Sequence, residues 1–158
     1  MLTTEGFKYT SFNPSLGLNW LPEPGLNLYA NLGRGARVPS VVELGCAFDG
    51  TLVDNGVPGL PVLQPRSLAG PGCSLPTTLS GDPYLPQIRS TSGEFGGRGR
   101  VLGNWYWDFS VYRTDLRNDI YFVGVGDGKS YFDTVGKTRR QGLELGLNGI
   151  AGPVDFRL

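Results

Sequence analysis

Histidine is missing from this 158-residue chain. Its absence removes imidazole metal sites and histidine-based general-base chemistry together. Serine, aspartate and glutamate occur without a recognisable nucleophile turn, so hydrolase chemistry lacks its machinery. Cysteine is nearly as scarce. Cys46 and Cys73 stand alone, too few without histidine for a structural zinc site. A disulfide closing the Gly- and Pro-dense segment between them is preferred over two free thiols, and it implies an oxidising compartment. No apolar run approaches the roughly 18 residues of a transmembrane helix. Residues 1–10 lack the continuous apolar stretch of a signal peptide, so an exported protein is expected to begin upstream of Met1. Charge of one sign is also absent: 14 Lys and Arg balance 14 Asp and Glu, which gives no footprint for nucleic acid. The short basic group Lys137, Arg139 and Arg140 reads as ordinary strand-end charge. Gly96-Gly-Arg-Gly99 lacks the Lys-Ser/Thr ending of a phosphate loop. No catalytic residue, metal ligand or cofactor is expected.

What is present points to sheet. Apolar content is 39%, beside 25 glycines and 12 prolines, a composition that suits strands joined by long loops and disfavours a helical bundle. Residues 104–113 are the most informative. Trp105, Trp107, Phe109 and Val111 fall on one side of an extended strand, and Tyr106, Asp108, Ser110 and Tyr112 on the other. One side suits hydrocarbon and the other a polar interior, the alternation of a transmembrane β-barrel. The same pattern runs through Leu16, Leu18 and Trp20, through Leu26, Leu28, Ala30 and Leu32, and through Leu143, Leu145 and Leu147. Glu94, Arg98, Arg100, Asp108 and Glu144 all fall on the opposite face. In a barrel they point to the lumen, because a charge in lipid costs several kcal/mol. On a soluble sheet they would face water, and the pattern alone does not separate these cases.

Turns divide the strands. Residues 22–25, 102–103 and 149–152 make short connections, whereas 35–87 and 124–129 make longer ones at the other end of an up-and-down meander. The expected fold is all-β: about six antiparallel strands over 1–158, with one long loop at 35–87. Turn signals crowd that loop at 54–56, 58–59, 71–72 and 81–83, and a short helix is allowed near 38–44. Its length counts against a compact soluble domain and suits a barrel with long outside loops. Residues 105–114 match the roughly 9–11 tilted residues that cross a hydrocarbon layer. Residues 115–119 read either as a strand rising above the membrane or as a turn. Trp105 at one rim, with Tyr121, Phe122, Tyr131 and Phe132 toward the other, suggests aromatic girdles.

Four stretches carry a family resemblance: Asn13-Pro-Ser-Leu-Gly-Leu18, Leu28-Tyr-Ala-Asn-Leu-Gly-Arg-Gly-Ala-Arg-Val-Pro-Ser40, Tyr112-Arg-Thr-Asp-Leu-Arg-Asn-Asp-Ile120 and Gly136-Lys-Thr-Arg-Arg-Gln-Gly-Leu-Glu-Leu145. In sequence and order they resemble the C-terminal β-barrel region of TonB-dependent outer-membrane receptors. The family's Asn-Pro-x-Leu-Lys-Pro-Glu stretch is represented only by Asp82-Pro-Tyr-Leu-Pro-Gln87, without the lysine and final glutamate. The resemblance implies a 22-stranded barrel in the outer membrane of a Gram-negative bacterium, of which this chain supplies about six strands. The plug, the TonB box and the closing aromatic strand would lie outside it, and the 35–87 loop would be extracellular. It further implies active import of a scarce ligand, most often a ferric siderophore, driven by the TonB-ExbB-ExbD complex through the N-terminal region.

On that reading Trp105, Trp107, Phe109, Val111, Leu143, Leu145 and Leu147 meet outer-membrane lipid. Arg34, Arg37, Arg66, Tyr84 and Arg89 are candidates to hold an anionic iron chelate. The competing readings are a passive porin-type channel and a soluble β-sandwich binding module. The isolated six-strand piece, with two unpaired edges, is expected neither to transport nor to insert stably.

Overall fold

The computed structural model describes residues 6–54, 62–69, 73, 84–101, 103–126 and 128–158. The expected turns at 58–59, 71–72 and 81–83 lie outside them, as do residues 55–56 of the turn at 54–56, Leu102 and Asp127. Six strands form one sheet in the order β1 (Ser15–Glu23), β2 (Leu26–Arg37), β5 (Ile88–Val101), β6 (Trp105–Gly126), β7 (Lys129–Ala151) and β8 (Val154–Arg157). The segment between β2 and β5 contributes helix α1 (Val41–Gly45), a two-stranded ribbon of β3 (Leu52–Asp54) and β4 (Leu63–Pro65), and helix α2 (Arg66–Ala69). The meander of six strands agrees with the sequence. The long loop is more ordered than its turn content suggested.

Compact units divide the chain in two. One comprises Ser11–Ala36, Arg89–Leu116 and Thr138–Leu158; the other comprises Met1–Thr10, Arg37–Ile88 and Arg117–Lys137.

The first unit is sheet. Gly25 at φ +88° closes the β1–β2 hairpin, a left-handed backbone that glycine adopts without a Cβ clash. The register then pairs Leu16 with Leu32, Leu18 with Ala30 and Trp20 with Leu28, while Asn19 meets Tyr29 and Gly17 meets Asn31. Apolar residues therefore stack on one face and polar residues on the other. Across β7 and β8, Gly149 pairs with Phe156, whose ring stacks on Trp105 at 6.0 Å. Much of the apolar face is exposed among the described residues. Leu18 is 66% exposed, Leu143 62% and Leu145 71%. A sandwich needs a covering sheet, and the other sheet among the described residues is a ribbon of two three-residue strands.

Buried apolar side chains occur instead in the second unit: Cys46, Ala47, Cys73, Leu85 and Ile88. A disulfide joins Cys46 to Cys73 with Cα atoms 5.5 Å apart. Ala47 bridges Phe132 of β7, with Phe132 N–H donating to Cys46 O at 2.7 Å and Phe48 N–H to Phe132 O at 2.8 Å. Lys129 Nζ donates to Leu68 O at 2.7 Å, and Ser130 Oγ to Cys73 O at 2.8 Å.

Of the two readings left open for residues 115–119, strand is the one found, since β6 runs unbroken for 22 residues; the expected 124–129 loop is corrected, since β6 reaches Gly126 and β7 starts at Lys129. Asn118 takes φ 55° within β6, and its side-chain amide reaches Gln87 O at 3.4 Å. Asparagine is among the residues that tolerate this region, which lets the strand continue. Phe122 packs on Phe132 at 4.8 Å and Tyr131 on Phe48 at 4.7 Å, so three of the rings read as girdle candidates pack within the loop unit.

Candidate functional site

The polar face of the sheet unit is built where β2, β5, β6 and β7 lie side by side. Tyr29 Oη donates to Glu94 Oε1 at 3.1 Å. Gly96 leaves the room that the Tyr29 ring occupies, and Gly146 leaves room for the Asp108 carboxylate. Gly142 does the same for Tyr112. Arg100 Nη2 donates to Tyr106 Oη at 2.7 Å, and its guanidinium lies 4.9 Å from that ring's centroid. Arg98 and Asp108 line the same concave surface with Asn27, Asn31 and Tyr106. Glu144 follows on β7 at the alternate position between Gly142 and Gly146. Glu94, Arg98, Arg100, Asp108 and Glu144 thus share one face, as their spacing suggested.

The other face gathers the aromatic and aliphatic set. Trp107 stacks on Phe109 at 5.9 Å, and Phe109 meets Phe95 edge-on at 5.8 Å. Gly97 and Gly99 lie under Phe109 and Trp107, where a Cβ would meet the rings at 2.8 Å and 2.9 Å. Glycine on β5 is therefore what lets these large rings lie flat along the sheet.

The five candidate ligand residues do not form one cluster. Arg37 is taken up by Glu43 through two parallel bonds of 2.8 Å. Glu43 also caps α1: Ser40 N–H donates to Glu43 Oε2 at 2.6 Å, and Glu43 N–H donates to Ser40 Oγ at 3.3 Å. The Arg37 guanidinium, assisted by Ser40, holds the Glu43 carboxyl down at about 2 against the opposing effect of burial. Arg66 is taken up by Asp49 at 3.1 Å. Thr51 holds the Asp49 carboxyl below its ordinary range, with Arg66 adding to the effect. Both arginines brace the loop and have spent donors on carboxylates.

Tyr84 is exposed and sits in an aromatic group that the sequence did not reveal. It stacks on Tyr9 at 5.7 Å and meets Phe7 at 5.7 Å. Tyr9 Oη is anchored on Leu85 O at 2.8 Å, and Gln87 Nε2 on Thr10 O at 2.8 Å. No local signal joins residues so far apart in the chain. The Ser40-x-x-Glu43 spacing, by contrast, is a capping-box signature that marks the start of α1 and the inward turn of the Glu43 carboxylate toward Ser40 N–H.

Arg34 and Arg89 belong to the sheet unit. Alternation along β2 puts Arg34 on the face of Leu32, and alternation along β5 puts Arg89 on the face of Gly93, where an added Cβ would meet the Leu32 side chain at 3.1 Å. Both therefore share the apolar face. Among the described residues no group of three or more acidic or cysteine side chains is placed to hold a metal ion, and no helix is long and apolar enough to cross a membrane.

Comparison with known proteins follows this geometry. The family model described as TonB dependent receptor-like, beta-barrel matches residues 3–157. The siderophore receptor PirA from Pseudomonas aeruginosa is similar at 15% identity, with a TM-score of 0.58 over 91% of this chain and 22% of that one. The ferric enterobactin receptor PfeA from Pseudomonas aeruginosa, in a mutant form bound to enterobactin, shares 21% identity and a TM-score of 0.58 over 92% of this chain and 21% of that one. The hemophore receptor HasR of Serratia marcescens, in complex with its hemophore HasA and heme, shares 20% identity and a TM-score of 0.57 over 89% and 20%. The chain spans about a fifth of the length of these receptor structures. No curated protein matches it.

Proposed function

This chain belongs to the TonB-dependent receptor-like β-barrel family, and we propose that the receptor it forms part of imports a ferric siderophore. Membership places it in the outer membrane of a Gram-negative bacterium, among receptors rather than enzymes. In the proposed arrangement the six strands are a sector of a closed 22-stranded barrel, since lipid does not tolerate free sheet edges. Trp105, Trp107, Phe109, Val111, Leu143, Leu145 and Leu147 meet lipid. Glu94, Arg98, Arg100, Asp108 and Glu144 line the lumen. The loop between β2 and β5 faces outside and offers Tyr84, with Tyr9 and Phe7, as an aromatic platform for the chelate. Arg37 and Arg66 hold the loop's shape. Energy comes from the TonB-ExbB-ExbD complex acting through the receptor's N-terminal region.

One observation carries this reading: a sheet whose apolar face is largely exposed among the described residues while its opposite face holds charged side chains, two of them hydrogen-bonded to tyrosines. In water a contiguous exposed apolar face of this kind is one that soluble monomers rarely leave open. In lipid it needs no cover. The test uses cells making the receptor that contains this chain. Radiolabelled ferric siderophore should accumulate, and collapse of the proton-motive force should stop it. Uptake that continues without energy would instead identify a passive channel. Spin labels at Trp107→Cys and Asp108→Cys should report lipid and water respectively; two water-exposed labels would refute the assignment of faces.

A further inference from the structure

The long loop is poor in positive charge. Over residues 35–87 two basic side chains, Arg37 and Arg66, stand against four acidic ones, Glu43, Asp49, Asp54 and Asp82, so the segment is net negative. Both arginines are neutralised by a carboxylate, Arg37 by Glu43 through its paired bonds and Arg66 by Asp49 at 3.1 Å. Lys129, the nearest cation that β7 brings to the loop, is anchored on Leu68 O. Two further basic residues of this unit, Arg117 and Lys137, fall by strand alternation on the side of Val111 and Leu143.

What the unit offers a ligand is aromatic surface. Phe7 and Tyr9, two residues apart, both bring their rings to the exposed Tyr84. Lys8 alternates with them, exposed where they are half-buried, so its ammonium is carried away from the stack. The Tyr9 hydroxyl is occupied by Leu85 O, and the buried Gln87 holds Thr10 O through Nε2. Two bonds thus fix the stretch that carries Phe7 and Tyr9, and the rings are in place before a ligand arrives.

The face of an aromatic ring carries negative potential and attracts cations. An anion set against it, beside a net negative loop, meets like charge and loses its water for no return. Ferric iron held by three catecholates is triply negative. Held by three hydroxamates it is neutral, or positive where the chelator also bears an ammonium group. We infer that the chelate seated at Tyr84 carries no net negative charge and belongs to the ferric tris-hydroxamate class. The inference rests on the proposed siderophore uptake and on Tyr84 as its platform. The methylene arms of such a chelate lie along the rings, and an ammonium group, where present, gains the ring face. This replaces the anionic chelate that the loop's arginines suggested.

The experiment titrates the intact receptor that contains this chain, purified in detergent, with one panel of neutral and ammonium-bearing ferric tris-hydroxamates and one of ferric tris-catecholates. By calorimetry the tightest hydroxamate should bind about tenfold or more tighter than the tightest catecholate. For a neutral hydroxamate, a tenfold rise in salt should move the Kd by less than about twofold. Tyr84→Ala should weaken hydroxamate binding about tenfold, and Tyr84→Phe should keep it within about twofold. Heat-modifiable gel migration checks that each variant is a folded barrel, and the comparison of the two panels on wild-type receptor stands even if Tyr84→Ala does not fold. Equal or tighter catecholate binding, or unchanged hydroxamate binding in a folded Tyr84→Ala receptor, would overturn the inference. Energy-dependent uptake of the catecholate would then remove the charge class alone and leave the import reading standing. Binding of neither panel removes the siderophore reading and the charge class with it.

Discussion

Replacing Glu43 with glutamine should loosen the start of the long loop without touching the barrel. The Glu43 side chain is 13% exposed and that of Arg37 52%. Three interactions depend on its charge: the pair of 2.8 Å bonds from Arg37 and the 2.6 Å bond from Ser40 N–H at the helix cap. The carboxyl is held at about 2, against 4.5 for an ordinary glutamate. Taken whole, that difference corresponds to about 3 kcal/mol. The half-exposed arginine is screened by solvent, which reduces the figure to about 1–2 kcal/mol. A carboxyl depressed in the folded state stabilises fully above its unfolded value, and that stability drains away as pH falls from about 4.5 toward 2. Hydrogen exchange followed by mass spectrometry over residues 41–46, corrected for intrinsic rates, reads the local opening. At neutral pH the Glu43→Gln receptor should exchange there about 5- to 30-fold faster than wild type. The wild-type protein should approach the mutant's opening as it is acidified through that window. Identical protection at neutral pH, or a wild-type profile flat down to pH 2, would show that the carboxylate does not hold the cap.

Two further outcomes follow from the packing. Replacing both Cys46 and Cys73 with serine should free the segment between them and weaken the loop unit by roughly 3–4 kcal/mol on chain entropy; limited proteolysis on whole cells should cut within 47–72 far faster than in wild type, and equal cutting would show that the β7 contacts suffice. Gly149→Val should force the Trp105 ring from its place, because a Cβ at Gly149 meets that ring. A cost of about 1–3 kcal/mol should lower the temperature at which the barrel loses its folded gel mobility, and Gly136→Val, with nothing near its added carbon, should not.

Period-two alternation made most of the sheet legible. Leu16, Leu18 and Trp20 against Leu28, Ala30 and Leu32 could be read as a hairpin because turn residues stood between them, and the register pairs those very residues. The ends of β6 and β7 were harder. Asn118 and the glycines near 124–128 look like turn formers in isolation, but the neighbouring loop gives the strands partners beyond the membrane-crossing length. The loss of alternation near 38–44 allowed a short helix, and α1 forms at Val41–Gly45 with the Ser40–Glu43 capping box at its start. The polar face could be listed residue by residue, since strand parity dictates it. The Tyr84 group could not, because Phe7 and Tyr9 reach it only through long-range folding. Arg34 and Arg89 were grouped by charge, and strand parity sets them on the face of Leu32 and Gly93.

In the proposed orientation, with the loop outside the cell, its mooring has a consequence for whatever meets it there. Cys46–Phe48, the Leu68 and Cys73 carbonyls and Lys129–Phe132 are stitched together by a disulfide, a parallel bridge and two side-chain hydrogen bonds. An antibody or phage adhesin docking there grips three distant stretches of chain at once. Linear peptides copied from any one of them will be poor immunogens for the native surface, and reducing agent should erase the epitope.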